Sequence, residues 1–354
     1  MTAIALDAIE TTPLLGVRDL TMKFTKGRSL ADAVMRRPAQ VVSALNQVSL
    51  DVMRGETLGI VGESGCGKST LARCIVGLHQ PSSGQILFEG RTIHAQSKQE
   101  RRIFNRRVQM MFQDPYTSLN PRMTVRDVLE ETISVHQMRR GPQIAQRITE
   151  LLDLVRLPQN AADKYPHEFS GGQRQRIAIA RALSLEPSCL VADELVSALD
   201  VSVQAQVVNL LLELQEELGL SIIFVAHDLP LVRHLSHRVA VIYLGAIVEI
   251  GASEELFAAP MHPYSKALLA AAPSLDPDER RAAPVLTGEL PSPLNIPSGC
   301  PFHIRCPHAR PLCQQEKPVL RAMDSVGAGN GEASPQMSGM VACHFAEDLQ
   351  NCAF

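Results

Sequence analysis

The residues with the clearest chemical meaning lie in the segment IVGESGCGKST, at positions 60–70. Their spacing is G-x-x-x-x-G-K-[ST], which is typical of a phosphate-binding loop between a strand and a helix. Backbone N–H groups of such a loop surround phosphate oxygens, and the helix N-terminus adds the positive end of its dipole. The lysine reaches the β- and γ-phosphates, and the following hydroxyl binds Mg²⁺. The positions expected to bind a nucleoside triphosphate here are Gly62, Gly65, Gly67, Lys68, Ser69 and Thr70.

Two carboxylates end a second apolar segment, VADE at 191–194. In proteins with a phosphate loop, the first acid of such a pair supports Mg²⁺ and the second orients the attacking water. These roles would fall to Asp193 and Glu194. The alternative is a surface acidic pair that caps the next helix.

A second phosphate-binding helix end is expected in FSGGQRQRIAIARAL, residues 169–183. Its exposed N–H groups and serine hydroxyl would lie at the positive end of a helix dipole. Two such helix ends do not easily reach one nucleotide within one core. The residues therefore predict a head-to-tail dimer, in which each second helix end closes over the partner's nucleotide. The positions involved are Ser170, Gly171, Gly172 and Gln173.

The elements that position these residues follow from the apolar patterns. GETLGIV predicts a strand before the loop, and LARCIVGL a helix after it. From residue 175, helical and strand-like segments alternate, which predicts a mostly parallel α/β core. Helical periodicity over about 114–175 predicts a helical subdomain inserted into that core. Pro, Gly and Cys become frequent after residue 256, so we expect one domain at 1–255 and a small extension at 256–354.

The whole chain sets limits on partners and location. It has 354 residues and a formal net charge of −3, so it lacks the basic field of a nucleic-acid-binding protein. The N-terminal residues carry Asp7 and Glu10, and we expect no signal peptide. VAVIYLGAIV at 239–248 is too short to span a bilayer, and Gly245 within it suggests two strands and a turn. Any membrane role is therefore expected to come through partners.

The order of these motifs resembles the signature of ATP-binding-cassette ATPases: a phosphate loop, then SGGQ, then a strand ending in DE. The resemblance implies that Gln113 is the glutamine that senses Mg²⁺, and that Asp200 in SALD crosses the dimer interface. It also implies that His227 in FVAHD contacts the γ-phosphate, so that Glu194, His227 and Gln113 form the catalytic set. Taken alone, His227 would more often be a structural histidine.

Phe24 resembles the aromatic residue that stacks on adenine in this family, although a core phenylalanine on a strand face is nearly as good an interpretation. The chain departs from the family pattern at one position near the catalytic acid. Leu195 follows Glu194 where the family usually has proline. That change removes no functional group.

Further segments resemble the dipeptide and oligopeptide import branch of the family, among them FQDPYTSLNPRMTV, YLGAIVEIG and the C-terminal HPYSKALLAA. The resemblance implies a peripheral, energy-coupling ATPase at the cytoplasmic face of a bacterial inner membrane. Its expected partners are a second cassette ATPase, identical or different, two integral membrane permease subunits and an extracytoplasmic solute-binding protein. Related importers carry nickel or other non-peptide cargo, so these remain alternatives. A non-transport cassette ATPase is a further alternative.

Four cysteines of the C-terminal extension form a candidate metal site: Cys300, Cys306, Cys313 and Cys343. Thiolates at four positions can hold an iron–sulfur cluster or zinc. The spacing lacks the short C-x₂-C hook of typical zinc ribbons, which argues against zinc. The family resemblance implies a [4Fe–4S] cluster. The alternative is a set of reduced, buried cysteines that stabilise a small lobe.

Overall fold

The computed structural model describes residues 12–25, 40–93, 97–112, 119–271, 291–323 and 339–349. The chain divides into two compact units, each formed by segments that are distant in sequence. The first unit comprises Met1–Leu15, Val52–Thr57 and Leu87–Ala226, and the second Gly16–Asp51, Leu58–Ile86 and His227–Phe354.

Strands and helices are interspersed along the described part of the chain. The described strands are β1 (Leu15–Thr25), β2 (Val41–Val52), β3 (Thr57–Val61), β4 (Ser83–Phe88), β5 (Arg91–Thr92), β6 (Val108–Met111), β7 (Cys189–Asp193), β8 (Ser221–Val225), β9 (Arg238–Tyr243), β10 (Ala246–Ala252), β11 (Arg321–Ala322) and β12 (Met340–Val341). The described α-helices are α1 (Lys68–Ile75), α2 (Lys98–Arg107), α3 (Val125–Val135), α4 (Pro142–Leu154), α5 (Gly171–Leu183), α6 (Val201–Leu218), α7 (Leu229–Leu235), α8 (Ser253–Ala258), α9 (Pro263–Ala270), α10 (Pro311–Gln315) and α11 (Ala346–Leu349).

The first unit contains a parallel sheet in the order β6-β7-β8. Every residue of β7 and β8 is buried, with no alternation of polar and apolar positions. Such continuous burial is typical of parallel strands covered on both faces. Asp193 lies opposite Val225 in the register, so the carboxyl ends of β7 and β8 lie at the same edge.

Three helices of the first unit, α3, α4 and α5, pack against one another. Each buries an apolar face, such as Val128, Leu129 and Ile133 of α3. A capping box between Thr124 and Asp127 begins α3, since each side chain binds the other residue's backbone N–H. Helices α3 and α4 thus lie within the range for which a helical subdomain is expected, and the bounds of that subdomain stay a prediction.

The second unit contains a mixed sheet in the order β3-β9-β10-β12-β11. β3 pairs with β9 in parallel, and β9 pairs with β10 in antiparallel orientation. The turn between β9 and β10 is formed by Leu244 and Gly245, both in the left-handed region with φ of 44° and 76°. Two such residues suit a tight hairpin turn, as the glycine in this apolar segment suggested.

The C-terminal residues continue the sheet of the second unit. β12 pairs with β10, with Glu249 opposite Val341 and Ile250 opposite Met340. A small apolar cluster of Met323, Val341 and Ala346 lies beside it. The boundary expected between 255 and 256 stays a prediction. Among the described helices, none combines the length and apolar character needed to cross a membrane.

Candidate functional site

The phosphate loop lies in the second unit, between the buried strand β3 and helix α1. Gly62 and Gly67 have φ of 152° and 111°, which side-chain-bearing residues rarely adopt. A Cβ at Gly62 would lie 2.3 Å from the Ile242 carbonyl oxygen, and one at Gly67 would lie 2.5 Å from that of Ala44. Both positions therefore require glycine for steric reasons, and the loop keeps its backbone available to a ligand.

Lys68 is buried within this loop. Its ammonium donates hydrogen bonds to the carbonyl oxygens of Gly62, at 2.7 Å, and Glu63, at 3.1 Å. A buried charge held by main-chain dipoles fits an anionic ligand, because phosphate oxygens can replace the carbonyls as acceptors. Ser69 and Thr70 are half-buried in the first turn of α1, where a hydroxyl can join the ligands of Mg²⁺.

Cys66 occupies a variable position of the loop and is buried there. Burial raises the pKa of its thiol, so the sulfur stays protonated at neutral pH. Its carbonyl oxygen accepts a hydrogen bond of 2.8 Å from Gly245 N–H, in the hairpin turn between β9 and β10. Cys66 thus supports the loop and is not a reactive thiolate.

Two further predicted site residues belong to the second unit. Phe24 lies near the end of β1, is 37% exposed and contacts His79 edge-to-face at 5.5 Å. The interpretation as a core phenylalanine therefore does not fit. His227 is exposed, beside Asp228, which caps α7. Both side chains are available to a ligand, and their roles stay predictions.

The acidic pair lies in the first unit at the end of β7. Asp193 is buried, while Glu194 is half-buried and has φ of 50°. A left-handed residue that is not glycine costs about 1–2 kcal/mol, so the surrounding structure must hold it in place. Glu194 N–H donates to the Val225 carbonyl at 2.9 Å, and its own carbonyl accepts from the Ser197 hydroxyl at 2.9 Å.

These contacts argue against the alternative interpretation of Asp193 and Glu194 as helix caps. The next helix, α6, begins after Asp200 and not after the acidic pair. Leu195 and Val196 are both buried, so the segment after Glu194 is anchored in the core where the family usually has a proline.

The SGGQ segment of the first unit begins α5. Ser170 Oγ accepts from Gln173 N–H at 3.4 Å, and the Gln173 side chain accepts from Ser170 N–H at 3.0 Å. This capping box satisfies the helix end within the chain. A Cβ at Gly171 or Gly172 would lie 3.1 Å from Leu199 or 2.4 Å from Val203, respectively.

Asp200 is brought close to that segment because α5 and α6 pack together. It is exposed at the N-terminus of α6 without a side-chain capping bond. Gln204 in the first turn of α6 donates to the carbonyls of Val196 and Leu199, which closes the turn before Asp200. Gln113, the remaining predicted member of the catalytic set, lies outside the described residues.

The four candidate cysteine ligands line a single cavity of about 20 Å³ in the second unit, together with His303, His308 and His344. Burial raises the pKa of Cys300 to about 12 and that of Cys306 to about 11, and the neighbouring cysteines contribute to both shifts. Across the described part of the chain, no three His, Cys, Asp or Glu side chains are grouped to hold one metal ion.

Three residues near the phosphate loop were not identified from the sequence. Glu63 lies inside the loop, and Tyr264 and Arg305 bind it from positions about two hundred or more residues later. One weak indication of this arrangement was present in the sequence, because a lone Glu in a phosphate-binding loop requires a cationic partner to neutralise it. The partner could not be chosen from the chain's 34 lysines and arginines without the fold.

Comparisons with known proteins place this geometry in a family. The profile of the ABC transporter family matches residues 45–197, and the profile of the oligopeptide/dipeptide transporter C-terminal region matches residues 248–313. The putative oligopeptide transport ATP-binding protein YkfD of Bacillus subtilis is 50% identical over 88% of this chain and 93% of its own. The oligopeptide transport ATP-binding protein AppF of the same organism is 47% identical over 94% and 97%.

Solved structures agree with this relationship. CbiO1 of Clostridium perfringens, part of the transporter complex cbiONQ, matches with a TM-score of 0.59 and 30% identity over 70% of this chain and 91% of its own. The dimeric cassette MJ0796 bound to ADP and Pi matches with a TM-score of 0.58 and 27% identity over 68% and 98%. The chain therefore belongs to the ATP-binding-cassette transporter family. The predicted fold class is confirmed, and the ligands of the family are ATP and Mg²⁺.

Proposed function

We propose that this chain is the ATP-hydrolysing, energy-coupling subunit of a bacterial importer for dipeptides or oligopeptides. One observation carries the proposal: the chain joins a cassette phosphate loop to the C-terminal region found in oligopeptide and dipeptide transporters. Relatives named as peptide or oligopeptide transport ATP-binding proteins match along almost the whole chain.

In this proposal the second unit supplies the triphosphate contacts. Backbone N–H groups of the glycine loop surround the phosphates, and the Lys68 ammonium exchanges its two carbonyl partners for β- and γ-phosphate oxygens. Mg²⁺ would be held by Ser69, Asp193 and Gln113, directly or through water, and would neutralise charge on the phosphate oxygens. Phe24 stacks on adenine, for which its exposed ring is suited.

Glu194 polarises the water that attacks the γ-phosphorus, and His227 stabilises the negative charge that develops there. The fixed backbone of Glu194 supports this assignment, because a positioned carboxylate loses less free energy on reaching the reactive geometry. The helix end at Ser170–Gln173 and the exposed Asp200 act in the partner cassette's site. Their neighbouring placement in the first unit supports a shared role in that interface.

The partners in this proposal are a second cassette, two integral membrane permease subunits and an extracytoplasmic solute-binding protein. The chain acts at the cytoplasmic face of the inner membrane. Closure of the cassette dimer on ATP and its reopening after hydrolysis move the helices α3 and α4. That movement acts on the permease subunits, so this chain supplies energy without contacting the cargo.

The uptake of labelled dipeptides and oligopeptides tests this function in cells that lack the chain. We expect wild type to restore uptake and Glu194→Gln to fail, with ATP hydrolysis reduced about 100-fold or more. ATP binding by the variant is the control, because the substitution removes no phosphate contact. Restored uptake by Glu194→Gln would overturn the catalytic assignment. Peptide uptake that is unaffected by deletion would remove the cargo assignment, and nickel or sugar uptake would then be measured.

We also propose that Cys300, Cys306, Cys313 and Cys343 ligate a [4Fe–4S] cluster. Four thiols are the usual donor set of such a cluster, and all four line the same cavity. The cavity is about the size of one water molecule, so cluster binding would require the thiols to move apart.

Metal analysis of the full chain, purified without oxygen, tests the cluster. We expect about four irons and four sulfides per chain, lost in Cys306→Ser and retained in Cys74→Ala, a buried cysteine of α1. Zinc in place of iron would identify the other metal. A metal-free chain would identify the four residues as reduced structural cysteines.

A further inference from the structure

The phosphate loop is held from the C-terminal region of the chain, through Glu63. We propose that Arg305 and Tyr264 are positioning residues for ATP binding. They neutralise the Glu63 carboxylate and fix its backbone, so that the loop can accept a triphosphate. The inference rests on the ATP site of the proposed function and adds residues that lie far outside the cassette motifs.

The ion pair between Arg305 and Glu63 is bidentate. The two guanidinium nitrogens donate to the two carboxylate oxygens at 2.7 and 3.0 Å. The Arg305 side chain is 4% exposed and that of Glu63 is 27% exposed. Arginine matches a carboxylate in this fork geometry better than lysine does, and partial burial reduces the screening of the pair by solvent.

The charge of Glu63 explains why a phosphate loop needs such a partner. Glu63 is the only acidic residue between Gly62 and Ser69, and it directly follows the first glycine. A free carboxylate at this position would repel the phosphates of ATP and compete for the Lys68 ammonium. Arg305 removes the net charge and holds the carboxylate in one orientation.

Tyr264 fixes the backbone of the same residue. Its hydroxyl oxygen accepts a hydrogen bond of 2.9 Å from Glu63 N–H, while Lys68 donates to the Glu63 carbonyl. The backbone N–H, the carbonyl and the side chain of Glu63 are therefore all bonded. Burial raises the pKa of the Tyr264 phenol, so the ring stays neutral at any physiological pH.

Hydrogen bonds and ring packing hold the segments that carry these two residues. His262 Nδ1 accepts from Tyr264 N–H at 3.0 Å and so caps α9, while His262 N–H donates to the Glu249 carboxylate at 2.9 Å. Phe302 is buried between the rings of Tyr243 and Tyr264, with centroid separations of 5.3 and 5.5 Å. Arg305 follows on the same turn, where its N–H donates to the Phe302 carbonyl. In the HPYSKALLAA segment, His262 thus caps α9 and Tyr264 binds the phosphate loop.

The test measures how tightly the full chain binds Mg²⁺ and a non-hydrolysable ATP analogue. We expect Arg305→Gln to weaken binding about tenfold, as for coupled neighbouring groups. Glu63→Gln on its own should bind at least as tightly as wild type, because the loop then carries no carboxylate and the positive charge of Arg305 remains. The double variant Glu63→Gln with Arg305→Gln should recover most of the loss, and Arg305→Lys should recover part of it. In hydrolysis assays, KM for ATP should rise in Arg305→Gln far more than kcat falls.

Arg321→Gln is the matched control, because Arg321 makes a bidentate pair with Glu347 in the same C-terminal region but does not bind the loop. We expect it to bind the analogue as wild type does. Unchanged binding by Arg305→Gln, or a double variant as weak as the single one, would overturn the inference while leaving the ATPase assignment intact. A wild-type chain that binds no analogue would instead defeat the proposed function.

Discussion

In the SGGQ segment that begins α5, packing against side chains of the first unit restricts which residue types fit, in addition to any ligand. Gly172 lies so close to Val203 that a Cβ would come within 2.4 Å of its Cγ1 atom. The contact is with the end of a side chain and not with backbone. Packing and phosphate binding are therefore two separable reasons for glycine at this position.

We expect Gly172→Ala to lower the free energy of unfolding by about 1–3 kcal/mol, because the added methyl group overpacks the contact with Val203. In a Val203→Ala background the same change should be neutral or stabilising by about 0.5–1 kcal/mol, since alanine favours the helix. Urea unfolding of the four chains measures this. An equal loss in both backgrounds would show that Val203 is not the cause. ATP hydrolysis by the double variant then reports whether the phosphate itself needs glycine.

Helix α9 begins with a cap whose hydrogen bond depends on the protonation state of His262. His262 is fully buried, and burial lowers its pKa to about 3. Its neutral Nδ1 accepts the Tyr264 N–H bond, so protonation would remove the acceptor. The nearby Glu249 is also buried, and burial raises its pKa, which gives the opposite dependence on pH. Lys266 is a further charged neighbour of that carboxylate.

The direction in which His262 makes stability depend on pH follows from the protons that the folded and unfolded chains bind. Between a folded pKa of about 3 and an ordinary value of about 6.5, the unfolded chain binds a proton that the folded chain excludes. Stability from this group is complete above pH 6.5 and declines as the pH falls. The loss is about 2 kcal/mol at pH 5.

His262→Asn tests this, because asparagine can cap the helix but does not titrate. We expect the stability difference between wild type and the variant to shrink by about 2 kcal/mol from pH 7.5 to pH 5 in urea unfolding. Glu249 and Lys266 are present in both chains and cancel. His234→Asn, which changes an exposed histidine of α7, should follow wild type. If the free energy of unfolding depended on pH in the same way in wild type and His262→Asn, His262 would not be the titrating group.

The sequence predicted the local structure around the site residues, but it did not predict the contacts between residues that are distant in sequence. The strand–loop–helix unit around Lys68 and the strand before Asp193 follow from apolar runs and glycine spacing, because these features act over a few residues. The left-handed backbone of Glu194 depends on Val225, and the pairing of β10 with β12 joins residues about ninety positions apart. No local pattern encodes such partners. The bond between Tyr264 and Glu63 is another example.

The ion pair between Glu63 and Arg305 also has an evolutionary consequence. Loss of the positive charge at position 305 would leave an unpaired carboxylate in the phosphate loop unless position 63 changed too. Across descendants of a common ancestor, the two positions are therefore expected to vary together. Cassette lineages that lost the C-terminal region should have replaced the acid at the first variable position of their phosphate loop with a neutral residue. Two positions separated by more than two hundred residues would then share one mutational history.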